Sequence, residues 1–126
     1  MPDLMKMHPD EIKRQSETNI IAEQNDEFRK HVLVDEKVGR WLFTSTVEAE
    51  GLEFKLAVLR AVQSFTEFTE EADPYGTHEM GVIEVLGKKV WWKIDLYDEN
   101  YVGGSESPAD PTKTRRVLTV LFPSDY

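Results

Sequence analysis

Between Met80 and Tyr97 two segments of alternating polarity meet across a glycine, and this pattern restricts the fold more than any other feature of the chain. In an extended chain Val90, Trp92, Ile94 and Leu96 share one face, while Lys89, Trp91, Lys93, Asp95 and Tyr97 share the other. That alternation belongs to an antiparallel strand with one buried face. Gly87-Lys88, between Met80–Leu86 and Lys89–Tyr97, predicts a two-residue loop of type II′, with glycine first. Adjacent tryptophans on a strand point oppositely. Trp92 therefore goes inward with Val90 and Ile94, and Trp91 goes outward among Lys89 and Lys93. An outward tryptophan is either an anchor for a partner protein or is covered by the first helix or the long loop after Tyr97.

A lone hairpin is marginal in water and needs something to pack against. Leu52 to Phe68 supplies it: Phe54, Val58, Ala61, Phe65 and Phe68 recur at spacings of four and three, broadened by Leu56, Leu59 and Val62. This predicts an amphipathic helix lying across a sheet. Val38 to Val47 reads as a strand, with Trp41, Phe43 and Val47 on one face, broken by Ala49-Glu50-Gly51. Arg115 to Phe122 reads as a last strand, with Val117, Thr119 and Leu121 on one side. Pro9-Asp10-Glu11 opens a polar helix running to about Lys30, anchored by Ile12, Ile20, Ile21 and Phe28. The expected fold is α+β in the order α-β-α-β-β-β. It is a mostly antiparallel four-stranded sheet with two helices packed on it. Residues 1–8 read as a disordered tail ahead of one domain over residues 9–126.

Composition narrows the chemistry. With 126 residues, 40% of them hydrophobic, the chain can build one core unaided. The absence of cysteine removes disulfides, thiolate zinc sites, cysteine nucleophiles and iron–sulfur clusters. No apolar run approaches the roughly twenty residues of a membrane span, and Met1 to His8 lacks an apolar secretion core. The expected location is the cytoplasm. A formal net charge of −9 argues against direct nucleic-acid binding. The acids are also clustered. Glu67, Glu70, Glu71, Asp73, Glu79 and Glu84 follow one another without a Lys or Arg, as do Asp95, Asp98, Glu99, Glu106 and Asp110. These two stretches flank the hairpin.

Asp73-Pro74-Tyr75-Gly76-Thr77-His78-Glu79 carries the most chemistry. Its carboxylates and imidazole suit metal ligation or acid–base work. They suit equally a turn capped by Asp73 with φ set by Pro74, after which His78 and Glu79 point to opposite faces. Asp73, His78, Asp95 and Asp98 form the widest oxygen-rich set for Mg²⁺ or Ca²⁺. No calcium loop, His-Glu-x-x-His, nucleophile elbow or phosphate-binding glycine loop occurs. Arg115 and Arg116 suit either a bound anion or internal neutralisation of acids, and local helix pairing accounts for Asn25, Asp26 and Arg29.

Several segments together resemble a bacterial family, the domain of unknown function numbered 3768. They are Asn25-Asp26 with Arg29; Phe65 to Glu70; Asp73 to Gly81; Trp92-Lys93-Ile94-Asp95-Leu96-Tyr97-Asp98; and Ser105 to Thr119. The likeness covers roughly residues 20–126. Family members usually carry an acidic residue and then Phe where this chain has Glu79-Met80, and a second Tyr where it has Leu96. The resemblance implies no activity. Its members' association with plasmid- and phage-rich bacterial gene pools implies an accessory role.

Two expectations follow. The first is a non-catalytic interaction protein, without cofactor, whose Glu67, Glu70, Glu71, Asp73, Trp91, Asp98, Glu99, Glu106 and Asp110 engage a basic protein surface that normally holds nucleic acid. The second is a metal-dependent hydrolase or nuclease centred on His78 with Asp73, Asp95 and Asp98.

Overall fold

A computed structural model describes residues 7–31 and 35–126. Helix α1 spans Pro9–Lys30. Its first turn is acidic and His8 accepts a bond from Asp10 N–H at 3.1 Å, the arrangement that satisfies an orphan donor at a helix start. His8 is thus a cap and no part of a tail; the rest of the expected tail, to Lys6, lies outside the described residues. Strand β1 is Gly39–Phe43, followed by a short helix α2, Ser45–Glu48, and by α3, Leu52–Gln63. Strands β2, β3 and β4 are Met80–Val85, Lys88–Tyr97 and Arg115–Leu121, and a 3₁₀ turn, Pro123–Asp125, closes the chain.

The four strands lie in the order β1-β4-β3-β2. β3 pairs antiparallel with both β2 and β4, but β1 runs parallel to β4, with Trp41 beside Leu118. The sheet is therefore mixed rather than mostly antiparallel, and three α-helices accompany it rather than two. The extra helix occupies the second half of the segment expected to be one strand. Beyond Phe43 the chain leaves the sheet, and Val47 reaches full burial from α2.

The hairpin turn also differs by one residue. Val85 pairs with Lys88, and Leu86 and Gly87 both have positive φ, 49° and 80°. That is a type I′ turn centred on Leu86-Gly87 rather than a type II′ turn on Gly87-Lys88. Its twist matches the strands it joins.

One face of the sheet builds the core: Ile83, Val85, Val90, Trp92, Ile94, Leu118 and Val120 meet Phe28 of α1 and Phe54, Val58 and Val62 of α3. α3 stops at Gln63, short of the expected Phe68. Its terminal carbonyl groups find a donor from outside the helix, since Arg29 donates to Val62 O at 2.6 Å and to Phe65 O at 3.1 Å. Phe65 and Phe68 leave the helical path and pack edge-on to Trp92, at centroid distances of 5.5 and 6.1 Å.

Candidate acidic binding end

Glu84 lies on β2 toward the hairpin turn, but the loop before β2 and the loop after β3, which carry most of the two acidic stretches, adjoin the same end of the sheet. β2 starts and β3 finishes there: Met80 lies opposite Lys93, and Ile94 N–H donates to Glu79 O at 2.7 Å. The long loop 98–114 turns back at that end, where Gly104 bridges Tyr97. Helix α1 fastens both loops. Asn25 Nδ2 donates to Thr77 O at 2.8 Å, and Gln24 Nε2 donates to Ala109 O at 3.1 Å. Glu17 of α1 lines one cleft with Glu106 and Asp110.

Glu67, Glu70, Glu71, Glu99 and Glu106 are exposed, Glu67 beside Val82, Ile83 and Glu84 of β2, and among the described residues none of them enters an ion pair. Four other acids have internal duties. Asp98 accepts backbone N–H bonds from Asn100, Val102 and Gly103, and these, that from Val102 foremost, hold its carboxyl below the usual range. Asp110 is lowered likewise by the hydroxyl and N–H of Thr112. Asp95 pairs with Lys93 at 2.8 Å. Asp73 is buried, so its carboxylate offers nothing to a partner's surface.

Asp73 belongs instead to a clasp around His78. His78 has φ 56°, a left-handed conformation uncommon outside glycine, and two carboxylates hold it. Its Nδ1 lies 2.9 Å from Asp26 Oδ2, and its backbone N–H donates to Asp73 Oδ2 at 3.2 Å. One ring face stacks flat on Phe68 at 3.8 Å. Arg29 closes the group, donating to Asp26 Oδ1 at 2.7 Å while lying 4.9 Å from the Trp92 ring centroid. Deeper still, Arg116 Nε donates to Asn25 Oδ1 at 2.8 Å and its NH2 to Gln24 Oε1 at 2.9 Å. Burial lowers its pKa to about 10. Arg116 therefore meets neutral amides rather than the acids or the anion expected of it, and Arg115 donates to the carbonyls of Thr112 and Thr114.

The set Asp73, His78, Asp95 and Asp98 does not converge. Among the described residues no group of three or more His, Asp or Glu side chains is placed to hold a metal ion.

Glu79 also adjoins a cavity of about 280 Å³ on the outer sheet face, lined by Trp91, Lys93, Asp95, Leu121 and Tyr126. Trp91 is covered by Tyr126, at 5.8 Å between centroids, rather than by α1 or the long loop. Tyr126 is positioned by the preceding turn, where Asp125 accepts from the hydroxyls of Thr44 and Thr46 and from Phe122 N–H. Burial pushes the Glu79 carboxyl above its ordinary 4.5, and the charges of Asp73 and Asp95 add to it. The native state thus disfavours the ionised form. That penalty is absent below the ordinary value, where folded and unfolded chains are both protonated, and grows as pH rises through the raised one. Glu79→Gln should accordingly be more stable than the parent at about pH 7, with the difference vanishing at about pH 4. Urea midpoints of both proteins at the two pH values check this; a difference independent of pH would refute the cause.

Asp26, as the partner of His78, and the Glu79 cavity were not foreseen from the sequence. Inward-facing polar residues at helical spacing around Phe28 were the available signal for Asn25, Asp26 and Arg29. Comparison with known proteins adds one match: the family model described as "Protein of unknown function (DUF3768)" covers residues 43–125. α1, with Asp26 and Arg29, lies outside that span. No curated protein and no solved structure matches the chain. Among the described residues no helix is long and apolar enough to cross a membrane.

Proposed function

The chain belongs to the DUF3768 family, and we propose for it a non-catalytic role in which the acidic end engages a basic, nucleic-acid-binding surface of another protein. In this reading it is an accessory inhibitor in the bacterial cytoplasm, acting on a host-defence or DNA-processing protein and binding no nucleic acid itself. The observation that carries the reading is that Glu67, Glu70, Glu71, Glu99 and Glu106, on the loops before β2 and after β3, are exposed and without ion pairs among the described residues. Uncompensated carboxylates on these loops create a negative field that speeds encounter with a cationic groove. The clasp at His78 gives the loop carrying Glu70 and Glu71 a fixed place against α1, which lowers the entropy lost on binding.

The test is capture of a partner from bacterial lysate, followed by competition against DNA for that partner. Association should weaken steeply between low and physiological salt. Glu67→Lys, Glu70→Lys and Glu71→Lys combined should slow association by about tenfold or more at low salt, while leaving stability nearly unchanged because all three sites are exposed. Undiminished capture by the triple variant would remove this surface from consideration. The metal-dependent alternative centred on His78 has less support, since Asp98 caps its own loop and Asp95 pairs with Lys93.

A further inference from the structure

β2 is the last strand on one side of the sheet, and its pairing fixes which main-chain groups lie on its outer edge. The two-residue turn makes Val85 and Lys88 a hydrogen-bonded pair, and Ile94 N–H donates to Glu79 O at 2.7 Å. Bonded and unbonded pairs alternate along an antiparallel ladder. Glu79, Gly81, Ile83 and Val85 therefore direct their N–H and C=O groups toward β3, and Met80, Val82 and Glu84 direct theirs outward. Among the described residues no hydrogen bond engages those outward groups. Edge strands are usually blunted by charges, proline, a bulge or a cover. β2 has one charge, Glu84, no proline, and an unbroken register with β3 from Met80 to Val85. A groove of about 320 Å³ adjoins the edge, with Val82 and Glu84 on one side and Ser64, Phe65 and Glu67, just past α3, on the other. No Lys or Arg lines it. Among the described residues neither Glu67 nor Glu84 enters an ion pair, although Lys89 stands opposite Glu84 in the ladder.

We propose that the free edge of β2 is a docking site for an extended segment of the basic partner, which adds to the four-stranded sheet as one more strand; the inference rests on the function proposed above. In strand addition the main-chain bonds supply affinity and alternate side chains supply specificity. One set of side chains lies on the outer sheet face beside Met80, Val82 and Glu84. The other turns into the groove, toward Phe65 and Glu67. A Lys or Arg on either face thus meets a carboxylate, and an apolar residue covers Val82, which is 46% exposed. A second copy of this chain fits the edge less well, because it brings Glu67 and Glu84 of both copies together in molecules that each carry a net −9. An acidic segment meets the same obstacle.

The probe is the acetylated, amidated peptide Thr-Lys-Val-Thr-Lys-Val-Thr, which places one Lys on each face of an extended chain, titrated into the full chain. In the free protein the N–H groups of Val82 and Glu84 should exchange with solvent at least about tenfold faster than those of Gly81 and Ile83, and saturating peptide should slow them by about tenfold. The peptide N-methylated throughout keeps both charges and loses every main-chain donor; it should bind about tenfold more weakly, as should the peptide with both Lys replaced by Glu at low salt. Val82→Pro removes an outward donor and spares the bonds to β3, a placement that edge strands tolerate, and should lower peptide binding about tenfold. Equal binding of the methylated form, or no protection of Val82 and Glu84 at saturation, overturns strand addition. Dimerisation that protects the same amides without peptide also overturns it and assigns the edge to a second copy. Val82→Pro separates the two proposals, because it leaves Glu67, Glu70 and Glu71 in place. If it and the triple Lys variant each reduce partner capture, both stand. If the triple variant reduces capture and Val82→Pro does not, the edge alone falls. If the peptide protects the edge while no basic partner is captured, the function falls and the edge remains.

Discussion

Arg29→Ala should lose about 3–5 kcal/mol of unfolding free energy, the range seen when one member of a buried ionic arrangement is removed. Arg29 is 2% exposed and serves three acceptors at once: Asp26 Oδ1, Val62 O and Phe65 O. Truncation leaves the Phe65 carbonyl, just beyond α3, without a donor, costing about 1–3 kcal/mol if water cannot reach it, while Val62 O keeps the N–H of Phe65 at 3.3 Å. It also removes the guanidinium lying over Phe68 and Trp92 and opens a void beside the core. Against a typical total of about 5–15 kcal/mol, such a loss leaves the chain marginal at room temperature.

The mechanism separates from a simple loss of charge. Arg29→Met restores most of the volume and stacks on Trp92, and many buried ion pairs tolerate apolar replacement with little cost. Here the Phe65 carbonyl has no other donor among the described residues, so Arg29→Met should still lose about 2 kcal/mol. Asp26→Asn should cost about 1 kcal/mol, because the amide oxygen still accepts from Arg29 and Asp26 is only half-buried. Urea unfolding followed by circular dichroism gives all three values. If Arg29→Met equals the parent, the assigned capping of α3 is wrong.

The same residue marks where the sequence could be read and where it could not. Period-two alternation places Trp92 inward and Trp91 outward, since these depend only on local geometry; it does not extend to His78, whose φ of 56° is outside the extended range. Alternation carries no information on strand direction, which is why the parallel pairing of β1 with β4 was missed. β4 is buried on both faces: Val117 and Leu121 on one, Arg116, Leu118 and Val120 on the other. Its apolar pattern therefore named no inner side. Glycine first in a two-residue loop suits a type II′ turn, which places the turn one residue late; the positive φ of Leu86, uncommon for leucine, has no sequence signal. The clasp was out of reach for a different reason: Asp26 and His78 are 52 residues apart, and Asp26 had a sufficient local partner in Arg29. A satisfied local pair conceals a long-range one.

Gly81→Ala should be strongly damaging, costing about 3 kcal/mol, although its backbone conformation is an ordinary extended one. A Cβ built there meets Trp92 Nε1 at 2.5 Å, Trp92 Cε2 at 2.7 Å and Phe65 Cε1 at 2.9 Å. Trp92 has no room to retreat: it is completely buried and enclosed by Phe65, Phe68 and Arg29. Either β2 separates from the core or the tryptophan leaves its position, and both disturb the pairing of β2 with β3. Gly87→Ala is the matched contrast, because a Cβ there touches nothing within 4 Å while φ is 80°. Its cost is conformational strain alone, about 1 kcal/mol, and Gly87→Asn should recover most of it, since asparagine tolerates left-handed φ. Thermal unfolding should therefore rank Gly81→Ala well below Gly87→Ala, and Gly87→Asn near the parent. A Gly81→Ala protein as stable as Gly87→Ala would mean that Trp92 is free to move and that the packing beneath the cavity is softer than its burial implies.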